Sequence, residues 1–324
     1  MTGKLIKVLI LVLLLAGVLV VSLTTNSMRF YKKLSSADLT SEFSSNTEPR
    51  KLLISTDNSV TSRIFFDKIP VEQDDALALA VLLKAHTEGK VRILGVVSTF
   101  GNIDGERTYD VTKKQLELSG VDIALVKGAL SAGQLDSEAV EFITETLRES
   151  EGKVTLVALG PVTDYAAVFK KHPELIEKVD LFFFIRSGPY YFPKYWHLCS
   201  FNALKDIKSA KYLFNLPIPK VAIGKEVVRV GLTNSDVIQI KKNSHPMVQF
   251  MTRDLISWNK VNKFLPNPGY FTRKGNMVPW DLVWSMYLVE PQLFETYKHD
   301  WGAFIRIKDV NQLKTSAKVY LEEY

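Results

Sequence analysis

The chain reads as an α/β domain with a mostly parallel, Rossmann-like central sheet and helices on both faces. Three observations predict this fold class. Short apolar runs of strand length recur from Lys51 onward, these runs lack inside-outside alternation, and helix-like segments separate several of them. A strand covered on both faces needs no polar side, and a parallel neighbour needs a crossover that is usually a helix, so all three features follow from one architecture.

The elements follow in order. "KLLIST" is the first strand and runs into Asp57; after the stretch 58–73, a helix is predicted over 74–86, starting on Asp74 and Asp75 ahead of "ALALAVLL". "RILGVVST" is the second strand, with Gly101 and Asn102 behind it and a helix over 105–119. "IALVKG" precedes a helix over 137–149, and "VTLVALG" precedes Pro161 and a helix over 163–170. "LFFFIRS" leads into a Tyr-rich loop, then "CSFNALKD" and a helix over 205–213; "KVAIGK" is a sixth run, and Pro279, Trp280 and Asp281 open a late helix. In open α/β sheets ligands bind outside the carboxyl ends of the strands. Several of those ends carry carboxylates or amides, which makes them the candidate site.

Composition narrows the function classes. With 324 residues, 46% hydrophobic and 23% charged, the chain can bury a substantial core. The net charge of +6 is spread without arginine-rich runs or aromatic-basic alternation, which argues against nucleic acid as a partner. GxGxxG, Walker, GxSxG and CxxC patterns are absent, removing the common nucleotide, serine-hydrolase and zinc readings. Cys199 is the single cysteine, so no intrachain disulfide forms, and it reads as a small apolar residue.

The amino terminus is separate. Lys4 and Lys7 precede an apolar run over 8–23, so 1–27 reads as a signal or membrane-anchor segment, 28–50 as a polar, Ser-rich stalk and 51–324 as the globular domain. The expectation is a single-pass anchored or a secreted protein. Arg29, Lys32 and Lys33 balance the two leading lysines and leave the orientation open.

Five segments in this order, "STDN…QDDALAL", "GVVSTFGNIDGE", "TLVALGPVTDYAAVF", "CSFNALKDIKSAKYLF" and "MVPWDLVWSMYLVEPQLF", resemble the nucleoside hydrolase family, the inosine/uridine-preferring N-ribohydrolases. The resemblance implies calcium-dependent hydrolysis of the N-glycosidic bond of a ribonucleoside, and possible homo-oligomers. It implies Asp57 as calcium ligand and general base, Asp75, Asp281 and the main-chain carbonyl of Leu159 as further calcium ligands, and Asp74, Asn102 and Asn202 as ribose binders. The residue types suit that chemistry, since calcium takes six to eight oxygen ligands, mostly carboxylates and carbonyls.

The sequence also departs from the family pattern. The short PG turn is replaced by 58–73; Ser55 and Ser200 stand where the family has Asp and Glu, Lys194 where it has an asparagine, and Trp280 where it has the His that protonates the leaving base in some members. A binding domain that keeps metal and ribose without turnover is the alternative function. Each site residue also has a plainer reading. Asp74, Asp75 and Asp281 are carboxylates at helix starts, Asn102 is a turn residue, Asn202 a helix cap, and Trp280 either core or a base-stacking platform. Tyr190, Tyr191, Lys194 and His197 are surface residues or a replacement acid, and the insertion with Ile64, Phe65 and Phe66 is expected to pack as a lid over the site or against a neighbour.

Overall fold

A computed structural model describes residues 48–64, 66, 68–183, 200–223, 225–263, 276–299 and 302–324. The apolar run 8–23, most of the stalk, Phe65, Tyr190, Tyr191, Lys194, His197 and Cys199 lie outside the described residues. Among the described residues no helix is long and apolar enough to cross a membrane.

The first half alternates strand and helix as the sequence predicts. β1 (Arg50–Thr56) is followed by a two-stranded hairpin, β2 (Arg63–Ile64) and β3 (Ile69–Pro70), and then by α1 (Asp74–Thr87), β4 (Val91–Ser98), α2 (Gly105–Ser119) and β5 (Leu125–Lys127). Next come α3 (Glu138–Glu149), β6 (Val154–Ala158), α4 (Thr163–Lys171) and β7 (Val179–Phe183). The second half holds α5 (Phe201–Lys205), α6 (Ile207–Phe214), β8 (Lys220–Ile223), α7 (Asn234–Ile240), α8 (Pro246–Met251), α9 (Leu255–Asn262) and α10 (Trp280–Val289), then β9 (Phe294–His299), β10 (Gly302–Ile307) and α11 (Val310–Glu322).

The eight-stranded sheet has the order β5-β4-β1-β6-β7-β8-β10-β9. Its pairs are parallel except β10 with β9, an antiparallel edge. The chain leaves β1 toward β4 and β5 and returns on the other side with β6, so the strand order reverses at β1. Such a switch point opens a crevice beyond the strand ends. Hydrogen bonds continue past those ends, from Thr99 N to Thr56 O at 2.9 Å and from Leu159 N to Ser55 O at 2.8 Å, which fixes the loops after β1, β4 and β6 against one another.

Alternate residues of β1 serve opposite faces. Leu52 and Ile54 join the core formed with α1, α10 and α11, whereas Leu53 joins the one formed with α3 and α4. α1 is buried along almost its whole length, from Asp74 through Leu83. A helix apolar on all sides is one enclosed on all sides, and the "ALALAVLL" run lies between the sheet, α10 and α11. Each fully buried leucine there contributes about 1.5–3 kcal/mol, so the starting point of α1 is firmly held.

One expectation is corrected. The helix predicted over 205–213 is two helices, because Asp206 breaks off α5 and caps α6 through Ser209 N at 3.1 Å. Of the two placements expected for the 58–73 insertion, a lid over the site or packing against a neighbour, its described tip residues do not fit the lid. Val60, Pro70 and Val71 are buried, but Ile64 is 42% and Phe66 96% exposed, and the hairpin is tied to the start of α9 by the Arg63–Asp254 ion pair.

Candidate metal and sugar site

Four carboxylates meet at the switch point. Asp57 follows the last residue of β1, Asp74 and Asp75 are the first two residues of α1, and Asp281 is the second residue of α10. Ligand oxygens of Asp74, Asp75 and Asp281 all lie within 4.8 Å of one another. Asp57 joins them electrostatically, its carboxyl being raised by the charges of Asp75 and Asp74. All four are 0–6% exposed.

Local structure explains how so much acid is packed together. The N-terminal ends of α1 and α10 face each other, and a helix N-terminus carries a partial positive charge and unpaired N–H groups. Neither helix has a side-chain N-cap: Gln73 and Pro279 occupy those positions without a capping bond. Asp74 instead caps across helices, its Oδ2 accepting from Asp281 N at 3.2 Å. The plainer reading of an aspartate at a helix start therefore holds in part for Asp74, but the helix it caps is α10.

Asp57 is held from two sides. Its Oδ2 accepts from Asn102 N at 2.8 Å, while Oδ1 has no hydrogen-bond partner among the described residues. Gly101 makes this approach possible, because a Cβ there would lie 2.0 Å from Asp57 Oδ2 and 2.6 Å from Cγ. Gly160, after β6, plays the same part for the backbone, with a Cβ position 2.9 Å from Asp57 N. Asp75 receives the Thr56 hydroxyl on Oδ1, and the Asn102 amide approaches its Oδ2 at 3.5 Å.

The electrostatics are uniform in sign. Burial pushes Asp57 and Asp281 well above the usual carboxylate range, and the neighbouring aspartates push each further. Burial raises Asp74 to about 6, held back by backbone N–H groups of Asp281 and Trp280 among others. Asp75 is raised to about 7 by burial and then by the charge of Asp74, against the Thr56 hydroxyl. Carboxylates that are desolvated and mutually repelling stay ionised only if a cation compensates them. The donor set is all oxygen, with Asp57 Oδ1 still unpaired, which fits a hard divalent cation.

The structure disposes of the remaining predicted residues one by one. The Leu159 carbonyl accepts the side-chain amide of Asn202, so these two are joined at the end of β6. Asn202 lies inside α5; the cap of that helix is Ser200, whose Oγ accepts from Ala203 N at 3.3 Å. Asn102 bridges Asp57 and Asp75 as described. Trp280 is 7% exposed and packs in the larger core, leaving little of its ring for a ligand. Sequence reasoning missed Thr56 and Gln73. Thr56 lies directly before Asp57, and its signal was a polar residue inside the strand run; Gln73 lies at the end of the insertion, where no pattern singled it out.

Comparisons with known proteins give the family and the fold. The family model for inosine-uridine preferring nucleoside hydrolase matches residues 64–319, a span that includes Asp74, Asp75 and Asp281 and leaves Asp57 outside. The pyrimidine-specific ribonucleoside hydrolase RihA of Citrobacter koseri is 26% identical over 265 residues, covering 72% of this chain and 81% of the relative. Among solved structures, the plant nucleoside hydrolase PpNRh1 has a TM-score of 0.67 at 15% identity, covering 85% of this chain and 100% of that one. A purine-preferring ribonucleoside hydrolase from Gardnerella vaginalis has a TM-score of 0.65 at 16% identity, covering 85% and 100%. This chain belongs to the inosine-uridine preferring nucleoside hydrolase family.

Proposed function

We propose that the protein is a calcium-dependent N-ribohydrolase that cleaves a ribonucleoside to ribose and free base. The observation that carries this is the convergence of Asp74, Asp75 and Asp281, from α1 and α10, into one buried oxygen cluster, with the Asp57 carboxylate beside it and linked to Asp75 through Asn102 despite the 58–73 insertion.

Asp57, Asp75 and Asp281 would hold the calcium, with Leu159 O as a main-chain ligand once the Asn202 amide turns from it. Bound there, calcium supplies the positive charge that offsets the crowded carboxylates and lowers the pKa of water in the site. Asp57 accepts the proton of that water through Oδ1, the oxygen without a partner, while Asn102 N–H keeps Oδ2 in place. The water oxygen forms its bond to C1′ of the ribose as the C1′–N bond breaks, and the bonding pair leaves on the base nitrogen. Asp74, Asn102 and Asn202 hold the ribose hydroxyls. Trp280 stands before Asp281, and an indole N–H does not ionise in this range, so the departing base receives no proton from that position. A missing general acid costs about a hundredfold to ten-thousandfold, so substrates with a stable leaving anion are cleaved fastest.

The test is release of base or p-nitrophenol from inosine, uridine and p-nitrophenyl riboside by the full chain, with calcium and with chelator. The proposal requires release that chelation and Asp57→Asn both abolish, with p-nitrophenyl riboside cleaved fastest. Release indifferent to chelator would overturn it. We also propose that the 8–23 run holds the domain at a membrane on the 28–50 stalk, supported by the length and apolarity of that run. Recovery of the full chain in the aqueous phase of a detergent partition would contradict this. Homo-oligomers, which the resemblance implies, are part of the same proposal, and sedimentation at the monomer mass would count against them.

A further inference from the structure

We propose that Gln73 is a ribose-binding residue which grips adjacent hydroxyls of the sugar, a role that rests on reading the site as one that takes a ribonucleoside. Gln73 is the last residue of the insertion and the N-cap of α1, with φ −133° and ψ 14° and no side-chain capping bond. It is 0% exposed, and neither its Nε2 nor its Oε1 has a hydrogen-bond partner among the described residues. Leaving a buried donor or acceptor unpaired costs about 1–3 kcal/mol, and native proteins keep such groups where something else uses them.

Three observations place that use in the site. The N-cap position lies at the end of α1 from which Asp74 and Asp75 project, and helical side chains lean toward that end. Another unpaired buried atom, Asp57 Oδ1, lies at the end of β1, beside the aspartates that open α1. Gln73 is also as deeply buried as Asp57, 0%, and Asp75, 1%.

The amide itself selects the ligand. A cation would use Oε1 alone and leave the NH2 group buried without an acceptor. Neighbouring sugar hydroxyls are each donor and acceptor, so one donates to Oε1 while the other accepts from Nε2, and both orphans are satisfied together. The substitutions elsewhere in the site give this grip a purpose. Ser200 stands in place of the family's glutamate, and its Oγ is engaged in capping α5. Lys194 stands in place of the asparagine. The insertion thus ends on a polar residue in a chain that has lost two others of the family pattern.

Gln73→Leu keeps the volume and removes both polar atoms. Cleavage of a ribonucleoside and of its 2′-deoxy and 3′-deoxy analogues is measured for wild type and variant, together with thermal unfolding without nucleoside. The proposal expects the preference for the ribonucleoside over one deoxy analogue to fall about tenfold or more, the loss of at least one hydrogen bond of about 1.4 kcal/mol. It also expects the variant to unfold at the same or a higher temperature, because no bond within the protein is lost. An unchanged preference with a lowered unfolding temperature would overturn it and make Gln73 a packing residue. Failure of both Gln73→Leu and Gln73→Met to fold would do the same. If wild type neither binds inosine or uridine by calorimetry nor cleaves them, the hydrolase reading fails and takes this role with it; if wild type cleaves and the preference is unmoved, only Gln73 is misassigned.

Discussion

Gly101→Ala is a change of one methyl group aimed at Asp57, the proposed general base. Its Cβ would lie 2.0 Å from Asp57 Oδ2, 2.6 Å from Cγ and 2.7 Å from Cβ, so the whole side chain is in its way. Non-bonded carbons are comfortable at about 3.5–4.0 Å, and the Asp57 carboxyl must therefore retreat by about 1 Å. Gly101 is not among the glycines with positive φ, so its backbone accepts alanine and the strain falls on the contact. A displacement of about 1 Å at a reacting group costs on the order of a hundredfold in rate. The overpacking itself costs about 1–3 kcal/mol of stability, which a protein with so extensive a core tolerates. The assay is steady-state cleavage of p-nitrophenyl riboside at saturating calcium, with circular dichroism to show that the variant is folded. A fall in kcat of about a hundredfold, with the fold retained, is expected. A folded Gly101→Ala enzyme with kcat within threefold of wild type would refute the assignment of Asp57 to the chemistry.

Further outcomes follow from the same geometry. Asp74 at about 6 and Asp75 at about 7 have folded pKa values above the unfolded carboxylate value, so their contribution to stability is full below about pH 4 and is lost as pH rises through those values. Chelated protein should therefore melt at a lower temperature at pH 8 than at pH 5, and calcium should remove that slope; a flat profile under chelator would contradict the crowded, uncompensated cluster. Thr56→Val removes the hydroxyl bound to Asp75 Oδ1, a bond to a charged group worth about 1.5–3 kcal/mol, and should weaken calcium binding by about tenfold or more in calorimetry. Phe66→Gly relieves a non-glycine residue at φ 58° that is 96% exposed, and should stabilise the fold toward urea by up to about 1 kcal/mol while cleavage stays unchanged.

The fold was legible where one physical signal dominated. The runs "KLLIST", "RILGVVST" and "VTLVALG" are buried on both faces and carry no competing pattern, and they became the adjacent strands β1, β4 and β6. What was obscure depended on contacts distant in sequence. Asp206 divides α5 from α6 because its carboxylate also binds Gly133 N and the Thr163 hydroxyl, neither of which the local pattern reveals. The strands of the β2–β3 hairpin are two residues each, too short for any period, and "FETYKH" with "GAFIRI" forms an antiparallel edge to which the sequence reading assigned no element. At the site, Asp74, Asp75 and Asp281 were visible as acids at helix starts. The meeting of Asp57 with them was implied only by the family resemblance, because sequence distance across 58–73 says nothing of spatial distance; the sheet sets it, by fixing the end of β1 and the start of α1 independently of the loop between them. Trp280 could be read either as core or as a platform for a base, and its burial in the core was decided by the packing of α10 on α1.

The central claim is that these carboxylates form one cation site with Asp57 inside it. A crystal structure of the protein grown with calcium tests it most directly. The account predicts one ion at about 2.3–2.6 Å from carboxylate oxygens of Asp57, Asp75 and Asp281. An ion bound elsewhere, or at this cluster with the Asp57 carboxylate turned away and its Oδ1 still unpaired, would contradict it.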